Sequence, residues 1–185
     1  MDTNTIEIVA VVAVVVIVAI AAVFFLRNQG RRRLKSRFGP EYNRAVEESG
    51  SAREAEAQLQ ARAARVKTYR LQRLAPKDKA RFVAAWRGIQ SRFVDDPRDA
   101  TASADELLGQ VMSARGYPDG DFDQRLEDLS VDHAQTVQNY RAAHDVALKH
   151  ARGEASTEDL RKAMIDYRAL VDDLVGEPAK LQTAS

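Results

Sequence analysis

From Ile8 to Leu26 the chain runs nineteen residues without a charge, a glycine or a proline. At about 1.5 Å per residue this predicts a helix of roughly 28 Å, the hydrocarbon thickness of a bilayer. Beyond it the apolar positions recur at helical spacing. Phe38-Gly39-Pro40 is a break, and a short helix is expected over 41–48, ending at Ser49-Gly50. Ser51 to Glu54 reads as a capping box opening a helix whose stripe is Ala52, Ala55, Leu59, Ala63 and Val66. Alanine lines most of that stripe and buries little area, so a solvated helix is expected there, with contact to headgroups or a partner helix as the alternative.

The core is predicted to begin after Ala75-Pro76, where Phe82, Trp86, Ile89 and Phe93 form an aromatic stripe. Asp96 reads as the N-cap of the next helix, with Pro97 at its first position and Ala100, Ala104, Leu107, Leu108, Val111 and Met112 inside. Arg115-Gly116-Tyr117-Pro118 predicts a Schellman ending, with Tyr117 against Met112. A short helix follows over 121–129. A longer one is expected from Ser130 to Arg152, with His133, Val137, Tyr140, His144, Ala147, Leu148 and Ala151 on one face. The last helix opens at Ser156–Asp159, turns Leu160, Ala163, Met164, Tyr167, Leu170, Val171 and Leu174 inward, and stops at Gly176 and Pro178. No run of alternating β-formers is present, so the fold class is all-α: a transmembrane helix followed by a cytoplasmic helical bundle.

The expected organisation is a short extracytoplasmic N-terminus (1–7), the span (8–26), a basic collar (27–37), a basic helical linker (38–75), a bundle domain (76–176) and a tail (177–185). Orientation follows from the collar. Arg27, Arg31, Arg32, Arg33, Lys35 and Arg37 follow the span, and no Lys or Arg precedes it. The N-terminus should lie outside and the body in the cytoplasm, at the inner membrane, with these six residues meeting anionic headgroups. A cleaved signal peptide fits less well, because the start is acidic and the apolar run continues past Ala19-Ile20-Ala21.

The formal charge of +1 hides a strong asymmetry: 27–92 holds eighteen Lys/Arg against six Asp/Glu, and 93–185 holds ten against nineteen. Anionic lipid would attract the first half and repel the second. The basic helix lacks the interleaved aromatics of a nucleic-acid surface, so nucleic acid is not an expected partner. The chain has no cysteine, which excludes disulfides and thiolate zinc sites. There is no phosphate-binding loop, dinucleotide fingerprint, nucleophile elbow or H-E-x-x-H. On a single helix His133 and His144 would stand roughly 16 Å apart, too far to share a metal, and His150 would face elsewhere. No cofactor or metal is expected. If a pocket exists, Asp132, His133, Tyr140, Arg141 and His144 are the residues expected to line it.

Several stretches carry a family resemblance: Arg37-Phe38-Gly39-Pro40-Glu41-Tyr42, Arg92-Phe93-Val94-Asp95-Asp96-Pro97, Arg115-Gly116-Tyr117-Pro118, Leu129-Ser130-Val131-Asp132-His133 and Tyr140-Arg141-Ala142-Ala143-His144. With the anchor, they resemble a bacterial family of small single-pass membrane proteins whose members carry no assigned activity. Ala134 stands where the resemblance leads one to expect proline. It implies one architecture and no catalytic residue. The expected role is a membrane-held interaction or scaffold protein with an unidentified protein partner, more a binding module than an enzyme. A small-ligand sensor or enzyme using the Tyr140/His144 face is the alternative.

Overall fold

The computed structural model describes residues 3–176, and within the first helix the side chains of 15–22, 24–26 and 28 onward. The expected tail lies outside the described residues, as do residues 1–2 of the expected extracytoplasmic segment and the side chains of 3–14, Val23 and Arg27. Eight helices follow one another: α1 Thr3–Phe38, α2 Pro40–Ser49, α3 Ala52–Lys67, α4 Pro76–Arg92, α5 Pro97–Ala114, α6 Phe122–Asp132, α7 Val137–Ala151 and α8 Thr157–Gly176. The described residues contain no strand, and the all-α class holds.

The expected span and collar form one uninterrupted helix. With 36 residues, α1 is about 54 Å long. Among the described residues no helix is long and apolar enough to cross a membrane. The apolar side chains described between Val15 and Leu26 nevertheless stand free of the rest of the protein, with Val15, Val18, Phe24 and Phe25 each at least 60% exposed. The helix ends where Gly39 takes a positive φ of 50° and Pro40 starts α2.

α8 is the axis of the main core. α5 and α7 both pack on it, and α4 packs on α5. Phe82, Trp86, Leu108, Val111, Leu129, Tyr140, Tyr167 and Leu170 are all buried there, as the helical stripes predict. The local signals also hold. Asp96 accepts a hydrogen bond from the Asp99 amide at 3.0 Å, and Ser156 and Asp159 cap each other across the start of α8. The Tyr117 amide donates to Met112 O at 3.1 Å and the Gly116 amide to Ser113 O at 2.9 Å, the two bonds of a Schellman ending. Gly116 has φ +93°, and a Cβ there would sit 2.4 Å from Arg70 O, so only glycine fits both the turn and the neighbouring chain.

Two expectations about helices are corrected, and one about a cap. Residues 38–75 are not a solvated linker. α3 lies against α6, and Phe38, Tyr42, Ala45, Ala55, Leu59, Val66 and Val131 form a second buried cluster. Alanine supplies little area itself but lets α3 approach closely, and Phe38, Tyr42 and Val131 bring the bulk from elsewhere. The Ser51 capping box also fails to form, since the Ser51 side chain makes no capping bond.

The second correction concerns 130–152, which is two helices. His133 leaves helical geometry at φ −121° and ψ 38°, and α7 restarts at Val137. The break is tertiary in origin. His133 Nδ1 lies 3.0 Å from Asp173 Oδ2 on α8, and the Thr136 hydroxyl donates to the same oxygen.

Trp86→Ala should cost roughly 3–5 kcal/mol by equilibrium unfolding, the range for emptying a buried aromatic site. Leu59→Ala should cost roughly 2–5 kcal/mol because α3 belongs to the packed body. A loss below about 0.5 kcal/mol at Leu59, the usual range for a surface site, would return α3 to solvent.

Candidate functional site

The basic half of the chain reaches the rest of the domain through carboxylates. Glu41, at the start of α2, is 2% exposed and accepts from Arg141 Nη2 at 2.9 and 3.1 Å. The Gln138 amide donates to the same carboxylate, and Arg62 stands 3.9 Å away. Asp128 on α6 is 1% exposed and accepts from Arg65 Nε at 3.0 Å, the Tyr69 hydroxyl at 3.0 Å and the Gln124 amide at 3.0 Å. Glu127 beside it pairs with Arg62 at 3.1 Å and Arg65 at 2.7 Å. Burial opposes the Arg65 charge, yet the bonds to Glu127 and Asp128 outweigh it and hold the guanidinium more firmly protonated than usual.

Of the five residues expected to line a pocket, Arg141 and His144 share a surface hollow with Arg44, Asp121 and Phe122, and the other three lie apart from it. Asp132 accepts from Arg37 Nη2 at 3.1 Å, at the foot of α1. His133 is buried against Asp173. Burial pushes the Asp173 carboxyl up, but the bonds from His133 and Thr136 win and hold it below the usual carboxylate range. Tyr140 is enclosed in the core, its ring 4.9 Å from Phe122 and 6.2 Å from Tyr167, and burial pushes its phenol far up. Arg141 is committed to Glu41. His144 stands half-exposed, stacked on Phe122 at 3.5 Å with the rings 11° apart. The expected shared face is thus divided: Tyr140 is core and His144 is rim. Leu148 and Ala151, also expected inside, are exposed.

The collar is divided too. Arg31 Nε donates to the Tyr42 hydroxyl at 2.9 Å and lies 3.3 Å from Glu56, while Arg37 bonds Val131 O and Asp132. Both bond to the protein while their side chains stay nearly half exposed, and Arg32 and Arg33 are exposed as well. Lys35 lies 5.1 Å from the Tyr42 ring centroid.

A concave site exists elsewhere. α5 and α7 both lean on α8 but hardly touch each other, leaving a groove of about 420 Å³. Leu160 and Tyr167 of α8 lie along it, with Arg98 and Asp105 from α5 and His144, Ala147 and His150 from α7. Asp105 accepts from Tyr167 at 3.3 Å and from Arg125 at 3.4 Å. At the other end Arg98 Nε donates to His150 Nε2 at 2.6 Å. On the sequence His150 was expected to face away from His144. The two in fact flank Ala147 at three positions to either side, about 60° each way around the helix, and share the groove. Arg98 and Asp105 carry no motif, and only the packing of three helices brings them together. Among the described residues no group of His, Cys, Asp and Glu could hold a metal ion.

Comparison with protein families, curated proteins and solved structures finds no match for this chain.

Two outcomes follow from these networks. Glu41→Ala should cost about 2–3 kcal/mol, less than the full penalty for breaking a buried pair, because the part-exposed Arg62 and Arg141 can hydrate. Glu41→Gln should cost less. The depressed Asp173 carboxyl gives a sign for pH. Its contribution is complete above the unfolded carboxyl value of about 4 and is lost as pH falls below that value through the folded one. Urea unfolding at pH 6 and pH 3 should show a smaller acid loss for Asp173→Asn than for the parent. Equal losses would remove Asp173 from the account.

Proposed function

We propose that the protein is a single-pass membrane-anchored interaction module, its helical body held on the cytoplasmic face by α1. The exposure of the apolar side chains between Val15 and Leu26 carries this reading. A helix that is apolar on every side and touches no protein leaves a large area in contact with water, and a bilayer removes that cost. Part of the stretch Ile8–Leu26 lies outside the described side chains. The one-sided run of Lys and Arg supports the orientation, and the resemblance to small single-pass bacterial proteins agrees with the architecture.

The continuity of α1 adds a mechanical property. The helix passes from the apolar stretch to Phe38 without interruption, and its last turns are fixed by Arg31, Arg37 and the buried Phe38. Span and body are thereby coupled as one unit, which suits a scaffold that presents its helical surface at a set distance from the membrane. The twelve residues from Arg27 to Phe38 place the body about 18 Å along the helix from the end of the apolar run.

A reporter that works only in the cytoplasm, fused after Ser185, should be active in cells, and the fusion should resist alkaline extraction from membranes. Release into the soluble fraction, or activity of a periplasm-only reporter at the same site, would overturn the proposal.

A further inference from the structure

The groove between α5 and α7 has a charge arrangement that none of the folding contacts explains. Arg98 lies at its edge near the start of α5 and makes no ion pair among the described residues. Its guanidinium is nonetheless positioned, because Nε donates to His150 Nε2 at 2.6 Å. Arginine can only donate, so His150 Nε2 accepts and the ring proton of the neutral imidazole sits on Nδ1. That Nδ1 is enclosed and has no hydrogen-bond partner. One end of the groove thus holds a positioned cation whose terminal N–H groups make no bond among the described residues.

The remainder of the groove is apolar. Ala102 and Ala147 open the slot, Leu160 and the Tyr167 ring lie along it, and its volume of about 420 Å³ is that of a small-molecule site. The far end is closed to a second negative charge, since Asp105 and Glu106 both line it. From Arg98 to Asp105 is seven helical positions, about 10 Å. With carbon–carbon bonds near 1.5 Å, that length matches an extended chain of about eight carbons.

We infer that this groove binds a medium-chain carboxylate, its head on Arg98 beside His150 and its chain along Ala147, Leu160 and Tyr167. The charge pattern selects one anionic end and an uncharged body. A chain with a second negative charge meets Asp105 and Glu106, and a cationic amphiphile would have to lie reversed, with its head at Glu106 and its tail against Arg98. The inference does not depend on the membrane reading, and its test is separate from the topology experiment.

The chain has three histidines, and two of them line the groove while His133 is buried elsewhere. Their imidazole resonances are therefore both reporters and an internal control. The full chain in nanodiscs is titrated with sodium octanoate, octylammonium and octanol, with empty nanodiscs correcting for partition. Octanoate should move His144 and His150 saturably and leave His133 in place. Arg98→Gln should weaken it at least about tenfold, a loss of roughly 1.4 kcal/mol, and Arg98→Lys should restore part of the loss. Arg98 is exposed, so its replacement does not threaten the core. Ala147→Phe should block binding by filling the slot. The inference is overturned by octylammonium binding as well as octanoate, by shifts that never saturate or that include His133, or by unchanged affinity in Arg98→Gln. An acidic peptide displacing a signal that octanoate cannot produce would overturn it equally, and would make the groove a docking slot for protein.

Discussion

Two carboxylates that are almost wholly buried, Glu41 and Asp128, hold this molecule in its arrangement. Ionised side chains are costly to bury and remain so only where partners surround them. Here the partners come from the basic half of the chain: Arg62 and Arg141 stand about Glu41, and Arg65 bonds Asp128. Moving α3 away from α6 would strip Asp128 of its guanidinium and its tyrosine together. Moving α2 from α7 would do the same to Glu41. The geometry is enforced less by the strength of each pair than by the penalty for leaving one member alone in a dry site.

This constraint changes the meaning of the charge asymmetry. An excess of Lys and Arg over 27–92 points first to lipid. In the folded chain part of that excess lies along the seam where α1 and α3 meet α6, and Arg37, Arg62 and Arg65 are matched there by Asp132, Glu127 and Asp128. The acidic half is acidic partly because it is the other side of this seam. A small alanine-lined cluster would bury too little apolar area to fix the orientation of α3 unaided. The ion pairs supply direction where the apolar contact supplies proximity.

How much of this was legible in the sequence depended on the range of the interaction. Signals that act within one turn were readable: the Asp96 cap, the Schellman ending at Gly116, the mutual cap of Ser156 and Asp159, and the aromatic stripe of α4. Signals that need a distant partner were not. Nothing near His133 announces a helix break, because Asp173, forty residues later, holds it. The alanine stripe of α3 looked too weak to pack because its covering residues, Phe38 and Val131, come from other helices. The expected pocket is divided for the same reason, with only Arg141 and His144 sharing a hollow. Its five residues are close in sequence, yet Glu41 claims Arg141, Asp173 claims His133 and Arg37 claims Asp132. The groove that does exist draws on α5, α7 and α8, and Arg98 and His150 are 52 positions apart.

The division of the arginines on α1 carries the argument to the membrane boundary. Arg31 and Arg37 are six positions apart and bind different parts of the body, Tyr42 with Glu56 and Val131 with Asp132. Two attachments spaced along a helix fix its direction as well as its position, which one attachment cannot do. Arg32 and Arg33 remain exposed and available to an anionic surface. Surface ion pairs such as Arg31–Glu56 are individually weak, so the direction of α1 rests chiefly on the buried Phe38 and the seam behind it. A force or tilt applied to the apolar end would act first on Arg31 and its exposed pair, and would reach Glu41 and Asp128 only after the last turns of α1 had moved. The last turns of α1 are therefore held to the body by Phe38, and α2, α3, α6 and α7 are held to one another by the buried carboxylates.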